Sequence, residues 1–194
     1  VEARQLELVE ELADNVELPV QVTIASGFPK GDKFEFITQK VTELGASQIW
    51  AFPADWSVAK WDGKKLGKKV EKLEKIALGA AEQSKRNLVP SITLFEKKAD
   101  FLAQFDQFDR IVVAYEESAK EGESAAFIQA VAGLEKGAKL LFIFGPEGGL
   151  SSAEIESFEA KGAVLAGLGP RILRAETAPL YALSAISVLL ELEK

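Results

Sequence analysis

The sequence contains no cysteine, no histidine and no methionine among its 194 residues. The lack of cysteine rules out a disulfide framework and makes a cytoplasmic location the default expectation. The lack of both cysteine and histidine excludes a catalytic triad, a cysteine nucleophile and the usual zinc site, so no metal is expected. Since methionine is missing even at position 1, we expect either that the true start of the chain is absent or that the methionine positions of the chain are left out of this sequence.

Long hydrophobic runs are absent as well. No apolar stretch approaches the roughly 20 residues that a membrane-spanning helix requires, and no secretory signal is visible. The most apolar window, residues 178–192, is interrupted by Tyr181, Ser184 and Ser187, which is typical of a buried helix. We therefore expect no membrane association and, at this chain length, one sizeable domain.

Positive charge is scarce overall but concentrated in one segment. The formal net charge is −7, whereas residues 60–86 hold nine basic and four acidic residues, a local charge of +5. The simple interpretation is a solvated helix face, and the functional one is a footprint for a nucleic-acid phosphate backbone. Gln83 and Arg86, three positions apart, share one helical face and could contact a phosphate or a base.

Apolar runs and helix-period segments alternate along the chain, which predicts an α/β fold. Ser151 and Glu154 have the spacing of a helix capping box, and Asp32 and Glu35 form a variant of it. The alternation favours a mostly parallel sheet with helices on both faces. The predicted strands are residues 20–24, 48–52, 91–95, 110–115, 139–144 and 163–166, and the predicted helices are 32–44, 64–86, 99–105, 124–134, 151–161 and 178–192.

Two glycine-rich segments follow the last two predicted strands. The first glycine loop, residues 144–149, is Phe-Gly-Pro-Glu-Gly-Gly, and the second glycine loop, residues 168–178, is Leu-Gly-Pro-Arg-Ile-Leu-Arg-Ala-Glu-Thr-Ala. Neither matches a P-loop or the dinucleotide-binding fingerprint. Because α/β proteins bind ligands beyond the carboxyl ends of their strands, we expect the loops to share one pocket. The alternative is that both are only tight turns.

The second glycine loop carries two arginines among apolar residues. A guanidinium in such a setting needs a partner or a ligand, since an unpaired buried charge is costly. Arg171 and Arg174 therefore either serve a ligand or form structural ion pairs, Arg171 with Glu147 and Arg174 with Glu176. Both interpretations stay open at this point.

Four segments in this order resemble one family. They are Thr-Glu-Leu-Gly at 42–45, Ala-Glu-Gln-Ser-Lys-Arg at 81–86 with Val-Pro at 89–90 behind it, and the two glycine loops. Together they resemble the RsmE-type ribosomal RNA uridine-N3 methyltransferases of the SPOUT superfamily. The resemblance spans residues 20–194. It implies a C-terminal deep trefoil knot, S-adenosylmethionine as cofactor, a homodimer, and a uridine of 16S ribosomal RNA in the small subunit as substrate.

The resemblance also implies roles for individual residues. Arg174 would stabilise the N3 anion of the uridine, and Glu147 is a weaker candidate for removing the N3 proton. Side chains of the predicted helix 64–86, which carries the concentrated positive charge, would bind RNA, and the glycine loops would hold the cofactor. The RNA-binding residues would be Gln83, Arg86, Lys68 and Lys72, and the cofactor-binding residues Gly145, Pro146, Gly148, Leu168, Gly169, Ile172, Leu173, Thr177 and Ala178.

Members of this family carry an N-terminal RNA-binding barrel similar to a PUA domain. We expect residues 1–14 to be the tail of that barrel, mostly absent here, and residues 15–194 to form the SPOUT methyltransferase domain. Three other functions remain open: a non-catalytic RNA-binding module of the same fold, a ribose 2′-O RNA methyltransferase, and a purely structural dimer.

Overall fold

The computed structural model describes residues 15–61, 63–115 and 124–192. Residues 1–14, predicted to be the remnant of a barrel, lie outside the described residues. The strands are β1 (Gln21–Gly27), β2 (Gln48–Phe52), β3 (Ser91–Leu94), β4 (Arg110–Ala114), β5 (Lys139–Phe144) and β6 (Val164–Ala166). They form one parallel sheet in the order β3-β2-β1-β5-β4-β6.

Helices cover both faces of this sheet. They are α1 (Lys33–Glu43), α2 (Gly63–Gln83), α3 (Lys98–Leu102), α4 (Ser124–Ala132), α5 (Ser152–Glu159) and α6 (Ala178–Ser187), the last followed by a π-helical turn (Val188–Leu192). None of the helices in the described part of the chain is long and apolar enough to cross a membrane.

Alternation along the strands divides the core in two. In β1, Ile24 joins a cluster with apolar residues of α1, α2, α4 and α6. Its neighbour Ala25 joins a second cluster with residues of α3 and α5. Successive side chains of a strand point to opposite faces, so a central strand that is buried on both faces needs helices on both sides. The predicted α/β fold with a parallel, doubly covered sheet is confirmed.

One of the two predicted capping boxes is present. The Ser151 hydroxyl accepts from the backbone N–H of Glu154 at 3.2 Å, and the Glu154 carboxylate accepts from the N–H of Ser151 at 2.9 Å. The prediction at Asp32 was wrong, because its side chain makes no capping hydrogen bond. Glu35 instead forms a salt bridge with Lys72 of α2 at 2.6 Å.

Helix α2 ends at Gln83, three residues before the predicted end. Lys85 adopts a left-handed backbone conformation with φ of 58°, and the N–H of Arg86 donates back to the carbonyl of Ala81 at 2.9 Å. Such bonds close the last turn of a helix. The reversal directs Arg86 into the protein instead of leaving it on the helix surface.

Arg86 is buried, and each of its three guanidinium nitrogens has a partner within the protein. Its Nη1 donates to the carbonyls of Thr42 at 2.7 Å and Ala46 at 2.9 Å, and its Nε donates to the Glu17 carboxylate at 3.0 Å. Nη2 forms a further salt bridge with Glu17. Only 3% of the Arg86 side chain is exposed, so the prediction that Arg86 binds RNA was wrong. Arg86 instead joins the end of α1, the start of β2 and the segment before β1.

The end of α2 also lies at the opposite edge of the sheet from the glycine loops. Glu17 precedes β1 and Ala46 precedes β2, so Arg86 marks the amino edge, whereas the first glycine loop follows the carboxyl end of β5. A five-residue strand spans roughly 16 Å. Gln83, exposed at the end of α2, is therefore about one strand length away from the glycine loops.

We predict that Arg86→Met destabilises the protein by about 3–5 kcal/mol, because it removes the guanidinium donors from a partly buried carboxylate and from two backbone carbonyls. Urea denaturation measures the loss. Gln83→Ala, a change at an exposed position on the same helix end, is the matched control and should cost under about 0.5 kcal/mol. Equal stabilities of the two variants would contradict a structural role for Arg86.

Candidate active site

A cavity of about 830 Å³ opens at the carboxyl ends of β4, β5 and β6. Both glycine loops line it, which confirms the prediction of a shared pocket. Its volume lies within the ~300–1,000 Å³ typical of small-molecule sites. The walls outside the glycine loops come from Lys33, Trp56, Ala114, Tyr115, Leu150 and Ser152.

Nearly all residues predicted to hold the cofactor line this cavity. Thr177 is the exception: it is exposed at the boundary of α6, and its carbonyl accepts from the N–H of Tyr181 at 3.0 Å. The two predicted catalytic residues, Glu147 and Arg174, also line the cavity. The cofactor candidates that do so are Gly145, Pro146, Gly148, Leu168, Gly169, Ile172, Leu173 and Ala178.

The first glycine loop is a tight turn against the segment that follows β2. The N–H of Gly149 donates to the carbonyl of Pro146 at 2.9 Å, and Gly149 has a φ of +79°, where side chains are disfavoured. At Gly148 an added Cβ would lie 3.0 Å from the Cβ of Trp56 and 3.2 Å from its carbonyl oxygen. The two glycines thus allow the loop to turn and to approach Trp56 closely.

Lys33, at the start of α1, joins the two glycine loops. Its Nζ lies 3.0 Å from Oε1 of Glu147 in the first loop and 3.1 Å from Oε2 of Glu176 in the second. The N–H of Lys30 adds a hydrogen bond to Glu147 at 3.1 Å. One ammonium group therefore bridges carboxylates that follow two different strands, and we call these three side chains the Lys33 bridge.

The Lys33 bridge shifts the pKa values of its members. The hydrogen bonds that Lys33 donates to Glu147 and to Glu176 raise the pKa of Lys33 above its usual range. Burial acts to raise the pKa of each glutamate. For Glu147 the hydrogen bonds from Lys33 and from the backbone N–H groups of Glu147 and Lys30, together with the charge of Lys33, outweigh burial. For Glu176 backbone and Lys33 hydrogen bonds and nearby positive charge do the same, so both pKa values are lowered. Glu147 is therefore a weaker base than an ordinary glutamate, which disfavours it for proton removal.

Neither of the ion pairs considered for the arginines is formed. Glu147 and Glu176 pair with Lys33 instead, and no salt bridge to Arg171 or Arg174 exists among the described residues. Both arginines are exposed and line the cavity. Arg174 lies near enough to help lower the pKa of Glu176. Their guanidinium groups thus remain available to an anionic ligand.

The cavity also offers backbone donors. The N–H groups of Ile172 and Leu173 have no hydrogen-bond partner within the described part of the chain, so they remain available to a ligand or to water. The adjoining Leu168 and Leu173 side chains are half-buried. Free donors beside apolar surface suit the edge of a nucleobase. The described residues contain no cluster that could hold a metal ion.

Sequence reasoning missed Lys33 and Trp56. Lys33 lies in a predicted helix, and no local pattern distinguishes it from other surface lysines. Trp56 follows β2 and is carried to the same sheet edge as both glycine loops. Its position after a predicted strand was therefore a signal that could have identified it.

Comparisons with known proteins identify the family of this chain. Residues 16–187 match the family model described as RNA methyltransferase domain. The ribosomal RNA small subunit methyltransferase E of Bacillus subtilis is 55% identical over 95% of this chain and 72% of its own length. The chain belongs to the ribosomal RNA small subunit methyltransferase E family. The Mesomycoplasma hyopneumoniae member is 34% identical over 94% of this chain and 76% of its own length.

A solved structure of the family supports the fold assignment and bears on the cofactor. The Neisseria gonorrhoeae methyltransferase E, bound to S-adenosyl methionine, superposes with a TM-score of 0.72 and 26% identity. The match covers 93% of this chain and 72% of that one. The family predicted from the four sequence segments is therefore confirmed.

We predict that Lys33→Met loosens both glycine loops together, because Glu147 and Glu176 lose their shared partner and repel each other. Hydrogen exchange of loop amides should rise in the segments 145–149 and 168–177. Lys40→Met is the matched control, since among the described residues Lys40 pairs only with Glu43 of its own helix at 2.8 Å, and it should leave loop exchange unchanged. Faster exchange in only one loop would contradict a bridge that holds both.

A comparison of wild type with Lys33→Met measures the pH dependence of the Lys33 bridge. Lowered glutamate pKa values contribute stability above the ordinary glutamate pKa of 4.5 that is lost as pH falls through the folded values. The raised Lys33 pKa contributes stability below 10.5 that is lost only above it. The difference in Tm between wild type and Lys33→Met should thus be constant from about pH 5 to 10 and shrink in stronger acid.

Proposed function

We propose that this protein transfers the methyl group of S-adenosylmethionine to N3 of a uridine in 16S ribosomal RNA of the small subunit. The observation that carries the proposal is that both glycine loops, two of the four segments that resemble the family, line one cavity. The proposed substrate implies a cytoplasmic site of action. The free N–H groups of Ile172 and Leu173 and the half-buried leucines beside them fit the adenine and the apolar part of the cofactor.

The cofactor, when bound, supplies a methyl group activated by its sulfonium, so the protein need not provide a nucleophile or a metal. What remains is to favour loss of the N3 proton of uridine and to stabilise the resulting anion. Arg174 is suited to the second task, because its guanidinium lines the cavity, is exposed and has no salt bridge among the described residues. The lowered pKa of Glu147 argues for a role in the Lys33 bridge over one as the base.

RNA would reach this edge of the sheet along positively charged surface. Lys68 is exposed on α2, and Lys72 remains largely exposed although it pairs with Glu35. Gln83 lies farther away, at the amino edge, and its contact with RNA remains a prediction. Residues 1–14 would belong to an RNA-binding barrel that precedes residues 15–194, the methyltransferase domain.

A trefoil knot at the cavity is consistent with the path of the chain. Strand β6 lies at the sheet edge next to β4, yet α6, which follows it, packs against α1 on the side of β1 and β2. The second glycine loop must therefore cross the carboxyl ends of the strands between them. A loop that crosses there and passes under an earlier segment would be knotted.

A homodimer would bring exposed apolar side chains on α6 and the turn after it against a second copy. Tyr181 is 42% exposed, Val188 47% and Leu192 73%, a row at helical spacing that follows the second glycine loop. Such a row is typical of an interface. Sedimentation equilibrium should give twice the mass of one chain, and a chain that stays monomeric at micromolar concentration would exclude the dimer.

We predict methylation of one uridine when the protein is incubated with unmodified small subunits and labelled S-adenosylmethionine. Mapping of the modified nucleotide decides between the alternatives. A methyl group on a ribose hydroxyl would support the 2′-O enzyme instead. RNA binding without methyl transfer would support the non-catalytic module, and failure to bind the cofactor in calorimetry would exclude both methyltransferases.

Gly148→Val should abolish cofactor binding, since the added side chain collides with Trp56 and displaces the first glycine loop. Gly67→Val in α2 is the matched control, because an added Cβ there meets nothing within 4 Å.

Arg174→Gln should keep cofactor affinity but lower kcat about 100-fold, as expected for a lost electrostatic contact in the transition state.

A further inference from the structure

The three tryptophans of the chain have different surroundings. Trp50 is buried and packs edge-to-face on Phe95 and Phe108. Trp61 stacks on Phe28, with ring centroids 4.3 Å apart. Trp56 is 52% exposed, contacts no other aromatic ring among the described residues, and lines the cavity. Its ring is therefore a large aromatic surface at the cavity that the fold itself leaves half uncovered.

The backbone around Trp56 is nevertheless held in place. The N–H of Asp55 donates to Oε1 of the buried Glu154 at 3.0 Å, and the N–H of Ser57 donates to the carbonyl of Ala54 at 3.0 Å. The ammonium of Lys98 contacts both Asp55 at 2.5 Å and Glu154 at 2.6 Å. The exposed ring thus stands on a segment that charge-assisted hydrogen bonds anchor to α3 and α5.

The ring also has a defined neighbour on its inner side. Two of its carbons lie 3.9 Å from the position a Cβ would take on Gly149, and its own Cβ packs on Gly148. One edge of the indole therefore rests on the first glycine loop while half of the side chain faces solvent. A preorganised, half-exposed ring of this kind costs little entropy to use in binding.

We propose that Trp56 is the stacking platform for the target base, which would lie on the exposed indole at the mouth of the cavity while the cofactor occupies the glycine loops. This rests on the proposed function. Proteins that bind single-stranded RNA stack splayed-out bases on aromatic side chains beside arginines. Arg171 and Arg174 line the same cavity and are exposed, so an aromatic face and two cations meet where a nucleotide from solvent must enter.

The cofactor is less suited than the target base to stack on the ring of Trp56. Two backbone donors without a partner among the described residues lie on the second glycine loop, at Ile172 and Leu173, and a molecule held there by its base edge is already anchored. Trp56 belongs to a different segment and is half open to solvent. Loss of its ring should therefore weaken the RNA step and leave cofactor binding unchanged.

The test compares Trp56→Leu and Trp56→Phe with Val58→Ala. Leucine removes the π-face, phenylalanine retains one, and Val58 is an exposed residue on the same segment that does not line the cavity. Calorimetry with S-adenosylmethionine, sedimentation, and methyl transfer to small subunits at saturating cofactor are measured for each. We expect Trp56→Leu to lower kcat/KM for the subunit about 5- to 150-fold with unchanged cofactor affinity and mass, Trp56→Phe to recover most of the loss, and Val58→Ala to match wild type.

Any other result would contradict the proposal that Trp56 stacks on the target base. Weaker cofactor binding by Trp56→Leu would place the ring against the cofactor, and a changed mass would place it in an interface between copies. Unchanged methyl transfer by a variant that binds cofactor normally would leave the ring without a role in base binding. These outcomes are distinct from failure of the proposed function, in which the wild-type protein itself neither binds the cofactor nor methylates the subunit.

Discussion

The shape of the cavity depends on one ammonium group placed between two carboxylates. Glu147 and Glu176 follow different strands, β5 and β6, and would repel each other if Lys33 did not lie within 3.1 Å of both. The bridge links the first turn of α1 to both glycine loops, so three distant points of the chain meet at one place. Arg171 and Arg174 are then not needed as structural partners, which leaves two cations for a ligand.

A parallel sheet separates structural and ligand-binding roles by its direction. All carboxyl ends lie at one edge, where the glycine loops and Trp56 converge, and all amino ends lie at the other. The buried guanidinium of Arg86 stabilises the amino edge, where it satisfies carbonyls at the end of α1 and before β2. The segment 81–86, part of the family motif, thus contributes to stability at a place remote from the cavity.

Local patterns predicted those features that depend on neighbours in the sequence. Strand and helix order followed from hydrophobic periodicity, and the capping box at Ser151 followed from a spacing that the first helical turn itself satisfies. The box predicted at Asp32 was wrong: the Asp32 side chain makes no capping hydrogen bond, and Glu35 pairs with Lys72, 37 positions away. Arg86 was misassigned for the same reason: its partner Glu17 is 69 positions away, and no local pattern marks that contact.

From the sequence alone, the resemblance of four segments to a known family gave the class of protein. The positions of apolar runs and of glycine and proline along the chain gave the kind of sheet and the two loops that line the cavity. Only the tertiary structure decided which side chains are paired within the protein and which stay available to a ligand. Arg86, Glu147 and Glu176 are paired, whereas Arg174 and the ring of Trp56 are available. The reason is that pairing depends on distances in space, and the sheet brings together residues that the sequence keeps far apart.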